Sequence, residues 1–472
     1  MSAGELTALS LAEAGRLVRE RELSPVEMTD AHLAQIGRLE PRLNAFITVT
    51  ADEARRAAKA AEDEVAAGKH RGRLHGLPIA IKDLFDLASV RMTAGSRILA
   101  DNVSADDSEA AARLREAGAV MLGKLNLHEF AFGATGINPH FGPARNPWDP
   151  EHITGGSSSG SGAAVASGEC LAALGTDTGG SIRIPASLCG IVGLKPTHGR
   201  VSKRGVLPLS WSLDHVGPMT RTVEDAAILL DVLAGHDPSD ASSADQPVSD
   251  YLASLKEGVR GMRIGIPRRF FFENVDPEVE TAVRSAITLL GEMGATTLEI
   301  DVPLIDEIPG ALTAIMLPEA LAVHQRWMKE RPDEYGDDVR YRLELGSTYL
   351  AVHYVQAQRL REMAVRAWRE EVFSQIDLIA TPTTPITARR IEEASSDDGL
   401  QVTFSLIRFT NPFNFLGVPA ISVPCGFTSG GLPIGLQLAS RWWDEATVLR
   451  AAFAYEQATD WHKRRPPIAA SS

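Results

Sequence analysis

Apolar residues recur at helical spacing near the start of the chain, in Leu11, Ala14, Leu17 and Val18, with charge on the opposite face. Residues 9–68 therefore read as helices, punctuated by Pro25 and Pro41. The Ala-rich stretch 51–67, interleaved with Lys, Arg and Glu, reads as a surface helix whose charges form a solvated face. Between residues 74 and 218 short apolar runs alternate with helical patterns, which predicts α/β layering. Gly76-Leu77-Pro78-Ile79-Ala80-Ile81-Lys82-Asp83 is a short buried strand ending on a lysine, 104–117 a helix with acidic residues near its start, and 119–124 a second strand. Asn126, His128, Phe132 and Gly133 follow that strand, in the kind of loop that carries function.

Further on, Thr222-Val223-Glu224-Asp225 opens a helix with a capping-box-like pattern, and Gly235 ends it. Residues 236–247 are polar and poor in bulky apolar side chains, a linker or surface loop. Strands are expected at 262–267 and 296–302, with a helix from Asp276-Pro277 to Met293 between them. From 308 the chain reads as helical to about Phe373, carrying Trp327, Tyr335, Tyr341, Tyr349, Tyr354 and Trp368, and Phe404, Phe409, Phe413 and Phe415 gather later. Most of these aromatics belong to a core. The loop 393–399 beside them is a candidate wall of a wide apolar pocket, which favours bulky, hydrophobic or aryl groups in the substrate.

The stretch 155–181 breaks the pattern. Gly155-Gly156-Ser157-Ser158-Ser159-Gly160-Ser161-Gly162 and Gly175-Thr176-Asp177-Thr178-Gly179-Gly180-Ser181 flank small apolar residues too numerous for a flexible linker. Glycine lets backbone approach a ligand, converging N–H groups stabilise developing negative charge, and a serine hydroxyl serves as nucleophile. Gly156 to Gly160 fits G-x-S-x-G, but Asn146-Pro147-Trp148-Asp149-Pro150-Glu151-His152 stands where that motif needs a buried strand. Neither a phosphate-binding loop ending in Gly-Lys-Ser/Thr nor a dinucleotide fingerprint closes here. A pair of serines with a base supplied from elsewhere fits better. Lys82, at the rim of an apolar strand, is such a base if desolvated, and otherwise an ordinary surface lysine.

These residues resemble the amidase signature enzymes. The resemblance rests on Gly155 to Ser158, on Gly175 to Arg183, on Gly190-Ile191-Val192-Gly193-Leu194-Lys195-Pro196-Thr197 and on Pro78 to Asp83, and extends from Gly123 to Phe130 and from Gly417 to Pro424. It implies a large central mixed β-sheet flanked by helices on both faces. An N-terminal helical segment, residues 1–70, would pack on an α/β core of 71–472 whose region of about 303–415 shapes the substrate site. It also implies a Ser-cisSer-Lys triad: Ser181 as nucleophile, Ser157 as the bridging serine after a cis peptide bond, and Lys82 as base. The N–H groups of Thr178, Gly179, Gly180 and Ser181 would form the oxyanion hole. Phe132 and Gly133 become substrate-pocket residues, or else a packed aromatic beside a turn glycine. Ser158 becomes a hydrogen-bonding neighbour of the triad at the substrate-binding site, and Asp177 and Arg183 structural partners. His128, His152, His198 and His215 have no metal-ligand spacing and no catalytic part in this scheme.

The activity implied is hydrolysis of a C–N bond through a seryl acyl-enzyme, on amides and equally on carbamates or esters, which the same nucleophile attacks. Two alternatives stand beside it: a glutamine-hydrolysing amidotransferase subunit, and a Ser/His/Asp esterase built on Ser158. A catalytically idle scaffold is disfavoured by the presence of Lys82, Ser157 and Ser181. Ile184 stands where the ammonia-supplying subunits commonly carry glutamine, which favours an independent amidase.

Composition adds limits. A net charge of −14 over 472 residues disfavours nucleic acid and anionic membrane as partners. An apolar fraction of 44% can fill a large core. Cys170, Cys189 and Cys425 cannot all pair and read as small core residues of a reducing compartment. Neither a leader pattern in residues 1–15 nor an apolar span of membrane length is seen, so a cytoplasmic enzyme is expected. It would need no cofactor or metal and would meet a small-molecule amide or carbamate substrate, and a homodimer is open to it.

Overall fold

In the computed structural model, which describes residues 1–395 and 399–469, eleven strands form one mixed sheet. In chain order they are β1 (Phe46–Val49), β2 (Pro78–Lys82), β3 (Val120–Leu125), β4 (Ala172–Asp177), β5 (Val192–Lys195), β6 (His215–Thr220), β7 (Arg263–Pro267), β8 (Thr296–Ile300), β9 (Leu378–Pro382), β10 (Ala420–Phe427) and β11 (Pro433–Ser440). Their spatial order is β1-β3-β2-β4-β6-β5-β10-β11-β9-β7-β8. β2 runs parallel to both neighbours, β3 and β4, whereas β4 and β6 are antiparallel.

Strand alternation sends successive side chains to opposite faces. Ile79 and Ile81 join a core with the helices Val223–Leu233, Pro277–Glu292 and Glu445–Gln457. Ala80 and Ala173 face the other way, against the helices Ser159–Ser167 and Arg183–Cys189. Lys82 shares the parity of Ala80 and so emerges on the face where the Gly/Ser stretch packs. The helix Ser159–Ser167 is buried on every side, and its small residues are the reason it fits. A Cβ on Gly160 would stand 2.2 Å from the carbonyl oxygen of Ala45. Further along that face, the helices Ile308–Glu330, Ala351–Ala367 and Asn411–Leu416 enclose a separate aromatic core.

The structure departs from the sequence reading in several places. Residues 1–70 are not all helical: after Asn44 turns left-handed (φ 51°), the β-branched run at Phe46–Val49 pairs antiparallel with β3 and puts this segment into the common sheet. The helix expected at 104–117 spans Glu109–Glu116, because Ser108 caps it while Ser104 turns away to bond Asp86 (2.6 Å). The helical run after 308 divides into Ile308–Glu330, Asp337–Gly346 and Ala351–Ala367, with Pro332 after the first. Residues 236–247 are a pinned surface loop: Asp237 accepts from Ser202 (2.7 Å) and Arg204 (2.9 Å). Of the expected pocket loop 393–399, residues 396–398 lie outside the described residues. Among the described residues no helix is long and apolar enough to cross a membrane.

Candidate active site

At the end of β2, the fully buried Lys82 Nζ lies 2.7 Å from Ser157 Oγ, 3.0 Å from Ser158 Oγ and 2.8 Å from Thr176 Oγ1. Among the described residues no carboxylate touches it. Burial pushes the amine from its ordinary 10.5 down to about 7, against the weaker pull of Asp214 and Asp177. Ser158 Oγ donates to the carbonyl of Thr176 (3.2 Å), so towards the lysine it accepts. Ser157 Oγ has no partner besides Lys82 among the described residues, which leaves its proton free to turn towards a neutral amine.

The Gly156–Ser157 peptide is cis, and the carbonyl of Ser157 accepts from the His128 amide (3.1 Å). Ser181 follows the β4 strand end. Its hydroxyl makes no hydrogen bond among the described residues, and the residue lines a cavity. The backbone N–H groups of Thr178, Gly179, Gly180 and Ser181 likewise donate to nothing among the described residues. Thr178 and Gly180 are buried and Gly179 and Ser181 partly so, and four such unpaired donors in succession beside a free hydroxyl mark a place for an anionic oxygen. Gly180 sits at φ 140°, and a Cβ there would lie 2.2 Å from Thr410 Oγ1. Only glycine fits.

On the other side of this loop Asp177 and Arg183 form a buried bidentate pair, with Nε and Nη2 each 3.0 Å from the carboxylate. Burial alone would raise the Asp177 carboxyl, but the Arg183 charge and hydrogen bonds outweigh it and hold it below the usual range. Arg183 also reaches Gln437 (2.7 Å) on β11 and Asn414 (2.5 Å), and Asn414 donates to Asp177 (2.8 Å). The contacts tie the loop to the sheet and to the helix Asn411–Leu416.

The structure places Ser158 beside Lys82 (3.0 Å), as a hydrogen-bonding neighbour of the triad. Like Ser157 it is fully buried and is not among the lining residues of the cavity, and among the described residues no histidine touches it. His215 is held by the carbonyls of Leu213 (2.7 Å) and Asp177 (3.1 Å). His198 meets Lys203 (3.1 Å), and His152 sits 3.0 Å from Asp149. His128 pairs with Asp338 (2.8 Å), to which Arg342 also donates (2.9 Å). Burial works against the Asp338 charge, yet its contacts with His128 and Arg342 hold the carboxyl far below the ordinary range. Sequence reading missed Thr176 and this Asp338–Arg342 pair. Thr176 stood inside the quoted motif, but which side chain its hydroxyl meets depends on the pairing of β2 with β4. No group of three or more His, Cys, Asp or Glu among the described residues is gathered for a metal.

The cavity in front of Ser181 measures about 210 Å³. Ala131, Phe132, Gly133, Leu312, Met316 and Ile407 supply apolar wall. Phe132 and Gly133 thus stand at the cavity, and Gly133 is small because the His128 ring lies where its Cβ would be, 2.2 Å away. Exposed Tyr341, Leu345, Leu400 and Phe404 form an apolar rim. Arg342 is the single charged lining residue among those described, and it is engaged by Asp338 and the carbonyl of Phe132.

An amidase of Pseudomonas putida is 47% identical to this chain over 469 residues, covering 98% of each. A glutamyl-tRNA(Gln) amidotransferase subunit from Roseiflexus sp. (strain RS-1) is 46% identical over 489 residues, covering 98% of this chain and 99% of its own. The crystal structure of a bacterial aryl acylamidase of the amidase signature family matches with a TM-score of 0.89 at 29% identity, covering 98% of this chain and 99% of that one. With residues 27–449 matching the Amidase family, this chain belongs to the amidase signature enzymes and is an amide-cleaving hydrolase.

Proposed function

We propose that this chain hydrolyses bulky, apolar or aryl amides, and carbamates of similar shape, with Ser181 as nucleophile, Ser157 as proton bridge and Lys82 as base. The observation that carries this reading is a buried lysine pushed down to about 7, bonded to Ser157 with no counter-ion in contact among the described residues, together with a free Ser181 hydroxyl in an apolar cavity. Neutral Lys82 takes the Ser157 proton as Ser157 takes that of Ser181. Ser181 Oγ bonds to the carbonyl carbon, and the oxyanion turns to the N–H groups of Thr178 to Ser181. The C–N bond then breaks, the amine leaves with the proton returned through Ser157, and an acyl-enzyme remains. Water attacks by the same relay and frees the acid. Asp177 and Arg183 hold the loop, and Phe132 and Gly133 bound the acyl pocket.

A glutamine-hydrolysing subunit is the second reading, favoured by the amidotransferase relative. Free glutamine brings an ammonium and a carboxylate to the pocket, and no Asp or Glu is among the described lining residues here. The apolar lining therefore supports the independent amidase, acting on a small molecule with no partner chain of another kind. The three buried, unpaired cysteines fit a reducing, cytoplasmic setting.

Labelling with a fluorophosphonate followed by peptide mapping tests the nucleophile, and aniline release from matched aryl amides and aryl carbamates ranks the substrates. A single label on Ser181 and turnover by the isolated chain are expected. Labelling at Ser158, or no label and no turnover, would sink the proposal.

A further inference from the structure

Two asparagines of one short helix have opposite fates. Asn414 is bonded at both ends of its carboxamide, to Asp177 and Arg183. Asn411, one turn earlier, has no hydrogen bond at either end among the described residues, although it is only 4% exposed. Its Oδ1 is buried and unpaired. Such a group normally finds a partner, because removing an amide from water without one is unfavourable.

Asn411 lines the catalytic cavity together with Thr178, Gly179 and Ser181. A Cβ added to Gly179 would stand 2.6 Å from Asn411 Oδ1, so the carboxamide lies directly on the oxyanion loop. Its neighbour Thr410 fixes that contact by donating to the Gly179 carbonyl (2.5 Å). The rest of the wall is apolar apart from a few hydroxyls and the engaged Arg342. Asn411 thus shares one cavity with Ser181 and abuts the loop whose N–H groups would take the carbonyl oxygen, within reach of an acyl group's first substituent.

We infer that Asn411 is a specificity-determining residue, which hydrogen-bonds a hydroxyl or acylamino substituent on the carbon adjacent to the scissile carbonyl. The inference rests on the assignment of Ser181 as nucleophile. A carboxamide both accepts and donates, so it suits a hydroxyl, and an analogue lacking that group leaves the amide unpaired and is turned over more slowly.

The test compares 4-nitroanilides of 3-phenylpropanoic acid and of 2-hydroxy-3-phenylpropanoic acid. Wild type is expected to prefer the hydroxy substrate by about tenfold or more in kcat/KM. Asn411→Leu, similar in volume and without hydrogen-bonding capacity, is expected to bring the ratio to near unity, and Asn411→Ser to restore part of it. Fluorophosphonate labelling of Ser181 in each variant reports that the catalytic loop is folded. A wild type without preference overturns the assignment and leaves the nucleophile intact, as does an Asn411→Leu chain that labels normally and keeps the ratio. Loss of labelling and turnover in wild type would overturn both.

Discussion

The loop from Asp177 to Arg183 has two sides, and they are built on opposite principles. On one, Asp177, Arg183, Asn414 and Gln437 share charge-assisted hydrogen bonds within the protein. On the other, four backbone N–H groups, the Ser181 hydroxyl and the Asn411 carboxamide meet no protein partner among the described residues. Saturated polar groups fix the shape of the loop. Unsaturated ones show where the substrate belongs, since their missing partners arrive with it.

The comparison breaks if variants on the open side cost stability or variants on the closed side do not. Ser181→Ala is expected to reduce turnover about 10⁴-fold or more with an unchanged melting temperature, measured by amine release and calorimetry. Lys82→Met should lose about 10³-fold or more, because Ser157 then has no acceptor for its proton. Arg183→Met leaves the Asp177 carboxylate buried and unpaired, and should destabilise the fold by about 3–5 kcal/mol in urea titrations.

The pH dependence sharpens the same point. Catalysis needs the neutral amine, so kcat/KM should rise with pH to a plateau above an acid limb near the Lys82 value of about 7. That value lies below the ordinary 10.5, so between them the unfolded chain binds the proton that the folded chain has lost. This group therefore makes stability rise with pH across that window, a slope that Lys82→Met should flatten. The smallest effect belongs to Thr176→Val. Thr176 accepts from the charged amine, so its loss should move the acid limb down by less than about one unit.

A low pKa by itself does not identify the base. Burial takes Lys195 well below its ordinary value too, with the Arg183 charge adding to it, yet its nitrogen faces the carbonyls of Pro196 (3.2 Å) and Val418 (2.5 Å), where no proton waits to be taken. The glycines before Ser181, and the lysine that ends a strand, were legible because their chemistry is local and their residue types are forced. Asn411 was not legible: it stands far along the chain, and only the fold brings it against Gly179. The strand Phe46–Val49 escaped for a related reason, since four residues between helices reveal their pairing only when β3 is beside them. Ser158 was legible only as a neighbour of the triad, and the fold adds which groups it meets. Neighbouring serines share a motif and both accept from Lys82, but Ser158 also donates to the Thr176 carbonyl while Ser157 has no second partner among the described residues.

The pleat of β2 and its continuation has a consequence for charge. Lys82 and Asp83 are consecutive, yet Asp83 is taken up by Lys124 (2.7 Å) and Thr93 (2.5 Å) in a closed pocket of its own. An acid and a base bonded through one peptide are thereby insulated from each other at the point where the strand ends and the chain turns. Were the register to slip by one residue, the carboxylate would turn towards the serines and the ammonium would find a counter-ion. The enzyme would keep its composition and lose its reagent.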